Sequence, residues 1–550
     1  MLILPLPEEM WASRICIPVV FIMLLVYNPD KKIIMKNIFY SFTGLIGLTL
    51  FAAACQKDVS NRTTNLPALQ SPNLDLNAGT WKPVLLSRPD TFAVAAPVAT
   101  TSPLYVADLF EIKALQKSLT KDQENSIKYW AAGGVLRWNE IMRGLVAKYN
   151  LAVVASADGT YAIPSASNPL AYPLFPFANP PYAARAYAYV SAAQYDALLA
   201  CWFYKTKYNR AAPYNFDSTV SAKFINKSAL PSYPSEAAVL AGVTAEMMKL
   251  LFPGEIGNIQ NIAVQQEQAA IMSGAATRAD VTAGEALGRQ VAELFIARAR
   301  GDNAGKAVGT PADWSNFVNI TKDQGLTPWY SLEIPQRPPM LPLFSKVKPF
   351  LFDSATVPTF RPGPPPPVGS DVLKQQTAEV VSIVKNPTRS NISNVEYWAD
   401  GIGTYTPPGH WNAIAAEDFV KENYSEVRWA RNIALLNMTL MDAAIVCWDI
   451  KYLYFNARPT QVDPSIKTLT GIPNFPSYVS GHSVFSGSAS TILGYLLPAN
   501  AAKYNELSNQ AAMSRLQGGI HYRIDCEAGL TVGNNVGNYA ILRAQNDGAN

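Results

Sequence analysis

The sequence predicts an all-α protein made of two duplicated helical bundles. Three observations predict it. Apolar residues recur at helical spacing from Lys121 almost to the end, as in SIKYWAAGGVLRWNEIMRGLVAKY and YAARAYAYVSAAQYDALLACWFYKTKY. Alternating, strand-type runs are scarce. A long segment of the second half repeats the first. The 550 residues, 49% hydrophobic and 16% charged, suffice for two or more core-sized units. The net charge of +4 is small and the Lys and Arg are scattered, which argues against a nucleic-acid partner.

Residues 1–55 read as a signal region. Two apolar stretches lie there, ICIPVVFIMLLVY (15–27) and IFYSFTGLIGLTLFAAA (38–54). The second follows Met35 and Lys36 and ends at Cys55. A basic start, an apolar core and small residues before a cleavage point describe an export signal. Ala-Ala-Ala-Cys resembles a bacterial lipoprotein signal, with Met35 as the true start and Cys55 as the lipidated residue. An N-terminal membrane anchor is the alternative. Either places the body outside the cytoplasm, held to a membrane through its N-terminus.

Residues 56–118 are polar, with scattered Pro, Ser and Thr, and read as a tether and irregular lead-in. Residues 119–330 make the first bundle. Residues 331–371, with RPPMLPLF and RPGPPPPVG, cannot continue a helix and read as a Pro-rich connection. Residues 372–550 make the second bundle. Cys201, Cys447 and Cys526 are odd in number and widely spaced, so they read as buried free thiols. Oligomeric state is open, a homodimer being one arrangement that doubled bundles allow.

The two halves share a frame. Pro231, Ser232, Tyr233, Ser235, Val239 and Gly242 recur 245 positions later as Pro476, Ser477, Tyr478, Ser480, Val484 and Gly487. The same shift carries Arg278, Asp280, Gly284 and Gly288 onto Arg523, Asp525, Gly529 and Gly533. A shift of 246 carries Arg185, Asp196, Cys201, Trp202 and Lys205 onto Arg431, Asp442, Cys447, Trp448 and Lys451. Where the copies differ, the second gains reactive residues. His482 meets Ala237, His521 meets Ala276, Arg515 meets Ala270, and Gly481 meets Glu236. The first bundle therefore reads as carrying a degenerate site. Asp525 persists in both copies and reads as a supporting residue, for instance the N-cap of the last helix.

Lys451, Arg458 and Arg515 together would neutralise a tetrahedral oxyanion, arginine through paired donors and lysine as a point charge. Ser480 can donate a hydroxyl, and Gly481 lets backbone N–H approach closely at a helix start. His482 and His521 then serve as the acid/base and the group that attacks or ligates the central atom. His410, in TYTPPGHWNAIA, sits at a helix start. It reads either as lining the mouth of the site or as a satisfied structural histidine.

Lys451-x6-Arg458-Pro459, Ser480-Gly481-His482, and Ser514-Arg515-x5-His521 with Asp525 resemble the three-part signature of one superfamily. It comprises the type 2 phosphatidic acid phosphatases (PAP2) and the vanadium-dependent haloperoxidases. The resemblance is strong over residues 445–530, and the doubled all-α architecture resembles the haloperoxidase branch. Val479 stands before Ser480 where many relatives have proline. The resemblance implies that Lys451, Arg458, Ser480, Gly481 and Arg515 hold vanadate or phosphate. It implies His521 as vanadate ligand or phosphatase nucleophile, and His482 as acid/base. Trp448 and Phe475 match aromatics that line the halide side in haloperoxidases. Phe475 faces Leu230 in the frame, so only the second copy has that ring.

The expected reaction is oxidation of halide by hydrogen peroxide on histidine-bound vanadate. Hydrolysis of a phosphomonoester by the same residues, without a cofactor, is the alternative. A non-catalytic surface lipoprotein fits poorly with an intact constellation. AIVCWDIKYLYF carries Asp449 and Lys451, so the core is expected to lack a membrane-length apolar run of about 20 residues.

Overall fold

The computed structural model describes residues 66–176 and 178–549. The signal region, Met35 and Cys55 lie outside the described residues. Among the described residues three α-helices come first: α1 (Pro103–Lys117), α2 (Lys121–Ala131) and α3 (Gly134–Tyr149). The first copy follows as α4 (Pro180–Tyr208), α5 (Pro213–Phe216), α6 (Glu236–Leu251), α7 (Ile256–Met272) and α8 (Arg278–Arg300). Then come α9 (Pro311–Asp323), α10 (Asp371–Lys385), α11 (Arg389–Tyr397) and α12 (Thr406–Phe419). The second copy is α13 (Glu426–Tyr454), α14 (Pro459–Val462), α15 (Gly481–Leu496), α16 (Ala501–Gln517) and α17 (Arg523–Gln545). Among the described residues there is no strand, only an isolated bridge between Pro328 and Asn456.

The five helices of each copy match one for one, at 29, 4, 16, 17 and 23 residues. Shared local chemistry explains this. Ser235 and Ser480 cap α6 and α15 with their hydroxyls. Asn209 and Phe455 end α4 and α13 in the left-handed conformation. The repeated glycines let helices touch backbone to backbone. A Cβ on Gly288 or Gly533 would lie 2.3 Å from the carbonyl oxygen of Val239 or Val484. That permits α8 to pack on α6, and α17 on α15.

The same buried ion pair closes each copy. Arg185 Nε lies 2.7 Å from Asp302 Oδ2, and Arg431 Nε lies 2.7 Å from Asp547 Oδ2. Each arginine also donates to the end of its fifth helix, at Ala299 O (2.7 Å) or Ala544 O (2.9 Å). The start of each long helix is thereby tied to the end of its bundle.

From residue 67 onward the lead-in is not a tether. Asp196, buried in mid-α4, accepts the N–H groups of Val84, Leu85 and Leu86 at 2.6, 2.7 and 2.9 Å. Asp442, its equivalent in α13, accepts those of Phe350 and Leu351 at 2.9 and 2.7 Å. The lead-in and the Pro-rich connection thus do the same job for the two copies. Burial pushes the two carboxyls up, to about 6 and about 7. α1 also begins inside the stretch expected to be irregular. Its core face is only Tyr105, Leu109 and Ile112, while Leu104 and Phe110 are exposed, which blurs the periodicity. Gly133, at φ 119°, splits the next apolar stretch into α2 and α3.

One helix among the described residues, α13, is long and apolar enough to cross a membrane, contrary to expectation. Its whole apolar window is buried, and it packs against α4, α15 and α17. It is the central core helix. Cys201, Cys447 and Cys526 are buried free thiols.

Removing one partner of a buried ion pair leaves an uncompensated charge. Arg431→Ala and Arg185→Ala are each expected to cost about 3–5 kcal/mol in urea denaturation. Arg523→Ala, which breaks a half-exposed pair with Glu379, is expected to cost under about 1 kcal/mol.

Candidate active site

The second copy brings its polar residues together from four helix ends. Lys451 sits in the last turn of α13 and Arg458 immediately before α14. Ser480, Gly481 and His482 open α15. Arg515 lies in the last turn of α16, and His521 in the short link to α17. Lys451, Arg458, Arg515 and His521 are all at most 2% exposed.

Backbone oxygens aim the three cations. Lys451 Nζ donates to Pro476 O and Ser477 O, both at 2.9 Å. Arg458 donates from Nε to Phe475 O (2.8 Å) and from Nη1 to Ile520 O (2.7 Å). Arg515 donates from Nε to Ser514 Oγ (2.9 Å) and from Nη2 to Val395 O (3.3 Å). Among the described residues none of the three forms an ion pair. Burial pushes Lys451 down to about 7, Arg458 to about 9 and Arg515 to about 10. Three buried cations without a carboxylate partner favour a bound anion. Gly481 gives room for one. A Cβ there would meet nothing within 4 Å, whereas the first copy has a glutamate at this helix start.

His521 is oriented by Asp525. Its Nδ1 lies 2.9 Å from Asp525 Oδ2, a carboxylate oxygen that only accepts. Nδ1 therefore carries the proton, and the Nε2 lone pair faces Arg458 Nη1 at 3.4 Å. Burial, then the charges of Arg458, Lys451 and Arg515, hold His521 well below its usual range, so the ring is neutral. A neutral, correctly oriented Nε2 is what a ligand or nucleophile requires.

Asp525 is not the N-cap of the last helix. That position belongs to Tyr522, and Asp525 is the third residue of α17, accepting the Tyr522 N–H at 3.2 Å. The same Oδ2 accepts Ser477 Oγ at 2.5 Å. Ser477, legible only as part of the repeated frame, thus braces the pair. In the first copy the equivalent Asp280 is taken by an ion pair with Arg210.

His482 faces a residue that sequence reasoning missed. Asp400 Oδ2 lies 3.5 Å from His482 Nε2, and Asp400 Oδ1 lies 3.0 Å from His410 Nδ1. Burial would raise Asp400, but the two imidazoles hold it well below the usual carboxylate range. Burial first, then Arg515, pushes His482 down to about 4, with Asp400 opposing. His410 is buried against the Trp398 ring at 4.5 Å. It is linked to His482 through Asp400. The only sequence signal was a lone acidic residue in the YWADGIG turn before the His410 helix.

Ser480 is partly structural. Its Oγ caps α15 and its N–H donates to Asp525 O at 2.9 Å, as Ser235 does to Asp280 O at 3.0 Å. Phe475 lies against two of these cations, its ring centroid 4.9 Å from Lys451 Nζ and 5.0 Å from the Arg458 guanidinium. Trp448 is one layer behind, 5.2 Å from Phe475, with its N–H donated to Met340 O at 3.1 Å. The Tyr478–Val479 peptide is cis, as is Tyr233–Pro234. A cavity of about 310 Å³ between Trp329, Tyr330, Gly471 and Asn474 reaches Arg458.

Residues 432–547 match the family model of the PAP2 superfamily. This region, essentially α13–α17, belongs to that superfamily. The fold is similar to that of a bacterial vanadium-dependent iodoperoxidase. That match has 22% identity and a TM-score of 0.52, covering 66% of this chain and 91% of that one. An apo-type bacterial vanadium-dependent chloroperoxidase matches at 13% identity and a TM-score of 0.46, covering 66% of this chain and 93% of that one. Its holo-type counterpart matches at 13% and 0.45, covering 70% and 96%. Comparison with curated proteins finds no match.

The cation cluster makes anion binding pH-dependent with a defined sign. In the anion-free protein Lys451 loses its proton as pH rises through about 7. Affinity for sulfate, a dianion throughout this range, is therefore expected to fall by up to about tenfold per pH unit above that point. In Lys451→Arg the profile flattens, because guanidinium stays protonated. Calorimetric titration at several pH values measures both.

Proposed function

We propose that the protein is an enzyme, a haloperoxidase that oxidises halide with hydrogen peroxide at a histidine-held vanadate. One observation supports this over other uses of an oxyanion cradle. The Phe475 ring, backed by Trp448, lies against Lys451 and Arg458 and gives the anion a water-poor, apolar flank. The donor set fits vanadate. His521 Nε2 would ligate the vanadium, and Lys451, Arg458, Arg515, Ser480 and the Gly481 N–H would hold its oxygens. Bound vanadate supplies a Lewis-acid centre that activates peroxide towards halide. Asp525 keeps the His521 proton on Nδ1, so the ligating nitrogen stays free. His482, held against Asp400, takes and returns a proton at the opposite side. The iodoperoxidase likeness agrees with this reading and goes no further than the fold.

A second reading uses the same atoms. Phosphate and vanadate share shape and charge, and His521 Nε2 could attack phosphorus while His482 protonates the leaving oxygen. The His482–Asp400 approach favours this, since the carboxylate would stabilise the imidazolium. Purified protein supplied with orthovanadate, peroxide and bromide, then with a phosphomonoester, separates the two. Phosphatase activity inhibited by vanadate, with no halogenation, would reject the first reading.

In either reading His521→Ala is expected to abolish turnover, and His482→Ala to lower it by about 10²–10⁴-fold. Asp525→Asn disturbs the tautomer and is expected to cost about 10–100-fold. Ala237→His alone should change nothing, because the first copy has alanine opposite Arg515 as well. The proposal includes export and lipid attachment at Cys55. Cys55→Ser should move the protein from the membrane to the soluble fraction.

A further inference from the structure

Two histidines share one carboxylate beside the candidate site, and they share it unequally. The Asp400 side chain is 5% exposed, and among the described residues His410 and His482 are its only ion-pair partners. His410 Nδ1 reaches both oxygens, Oδ1 at 3.0 Å and Oδ2 at 3.3 Å. His482 Nε2 stands off at 3.5 Å from Oδ2 and has no hydrogen-bond partner among the described residues. A carboxylate only accepts, so His410 donates from Nδ1 and claims the acid.

The fold fixes His410 in that place. The two residues after it lock α12 to its neighbours. Trp411 Nε1 donates to Ser486 Oγ of α15 at 2.9 Å. Asn412 exchanges amide hydrogen bonds with Asn437 of α13, at 2.7 and 3.0 Å. α12 is thereby registered against the helix that carries His482. The His410 ring packs on Trp398 and Tyr397, with centroids 4.5 and 4.8 Å away.

Asp400 is held as firmly. It sits in a turn at φ 45°, a left-handed conformation that Asp tolerates better than most residues. Asn150, just past the end of α3, clamps that turn. Its amide donates to the carbonyls of Gly401 (2.8 Å) and Thr404 (3.1 Å), and its backbone oxygen accepts the Gly403 N–H at 2.8 Å. The other charged or titratable groups around the trio are Arg515 on α16, His521, Tyr397 on α11, Tyr405 before α12, Glu417 on α12 and Arg143 on α3. Against that fixed background, what His482 gains from Asp400 depends on His410.

We propose that His410 is a positioning residue for His482: by claiming Asp400 it withholds a close counter-ion from that ring, and so sets how readily the ring takes a proton. The inference rests on the acid/base role proposed for His482. Burial and the Arg515 charge push in the same direction. A ring that is neutral before the anion arrives is free to accept a proton there.

The chain has three histidines, so NMR of the full-length protein with labelled imidazole nitrogens follows each ring separately, without an added anion. His410→Phe keeps a ring but removes the donor, and the His482 pKa is expected to rise by about one unit or more. His410→Asn, whose amide can donate from the place of Nδ1, should restore most of the wild-type value. Asp400→Asn should lower it. Added to Asp400→Asn, His410→Phe should raise it by less than about half a unit, because His410 acts through the acid. His410→Leu serves as a second donor-free variant, and circular dichroism checks the fold of each. The proposal is overturned if His482 stays or falls in folded His410→Phe and His410→Leu. It is equally overturned if the full rise persists with Asp400→Asn, which would mark a loosened, wetter site. The titration involves no turnover, so its failure would leave the proposed reaction standing, and an inactive protein would leave the titration interpretable.

Discussion

One carboxylate oxygen, Asp525 Oδ2, organises the second copy. It accepts from the Tyr522 N–H at the start of α17, from Ser477 in the loop before α15, and from the His521 ring. Those three bonds join a helix start, a loop and His521 at one buried point. Asp525 also accepts the Ser480 N–H on its backbone oxygen, which brings the α15 N-terminus to the same place. Burial pushes its carboxyl up, while the Ser477 hydroxyl, the Tyr522 N–H and the charges of Lys451 and Arg458 pull it down. Weakening it would loosen the histidine, the cap and the loop together.

The first copy shows what this frame is without its chemistry. Ser235, Asp280 and the paired glycines repeat the same contacts, so the scaffold does not need the histidines or Arg515 of the second copy. There Asp280 is occupied by Arg210. In the second copy the equivalent carboxylate is left for His521. One repeated acid thus pairs with an arginine in the first copy and with a histidine in the second.

The three buried cations are oriented by backbone oxygens and the Ser514 hydroxyl. Lys451 and Arg458 grip the carbonyls of residues 475–477, and Phe475 stands over both. The ring sets the polarity of one flank while its own carbonyl fixes the arginine. Arg515 acts from another side, and its charge reaches both His482 and His521. Cradle and apolar flank are therefore built from the same loop.

Much of this was legible in the sequence, because it depends on local patterning and on repetition. Helical periodicity gave the fold class, and a repeat at a shift of 245 to 246 residues exposed the duplication. Comparing copies then picked out His482, His521, Arg515 and Gly481. Pairings between distant segments were not legible, since nothing local announces them. Asp400 is a lone acid in a turn until folding sets it between His410 and His482. Ser477 reads as frame until its hydroxyl meets Asp525. The lead-in reads as a tether because its partner, Asp196, lies more than a hundred residues away. The sequence by itself determined the helices, the repeat and the reactive residue types. Only the tertiary structure decided which carboxylate faces which base, because desolvation and hydrogen-bond geometry arise from the packed fold.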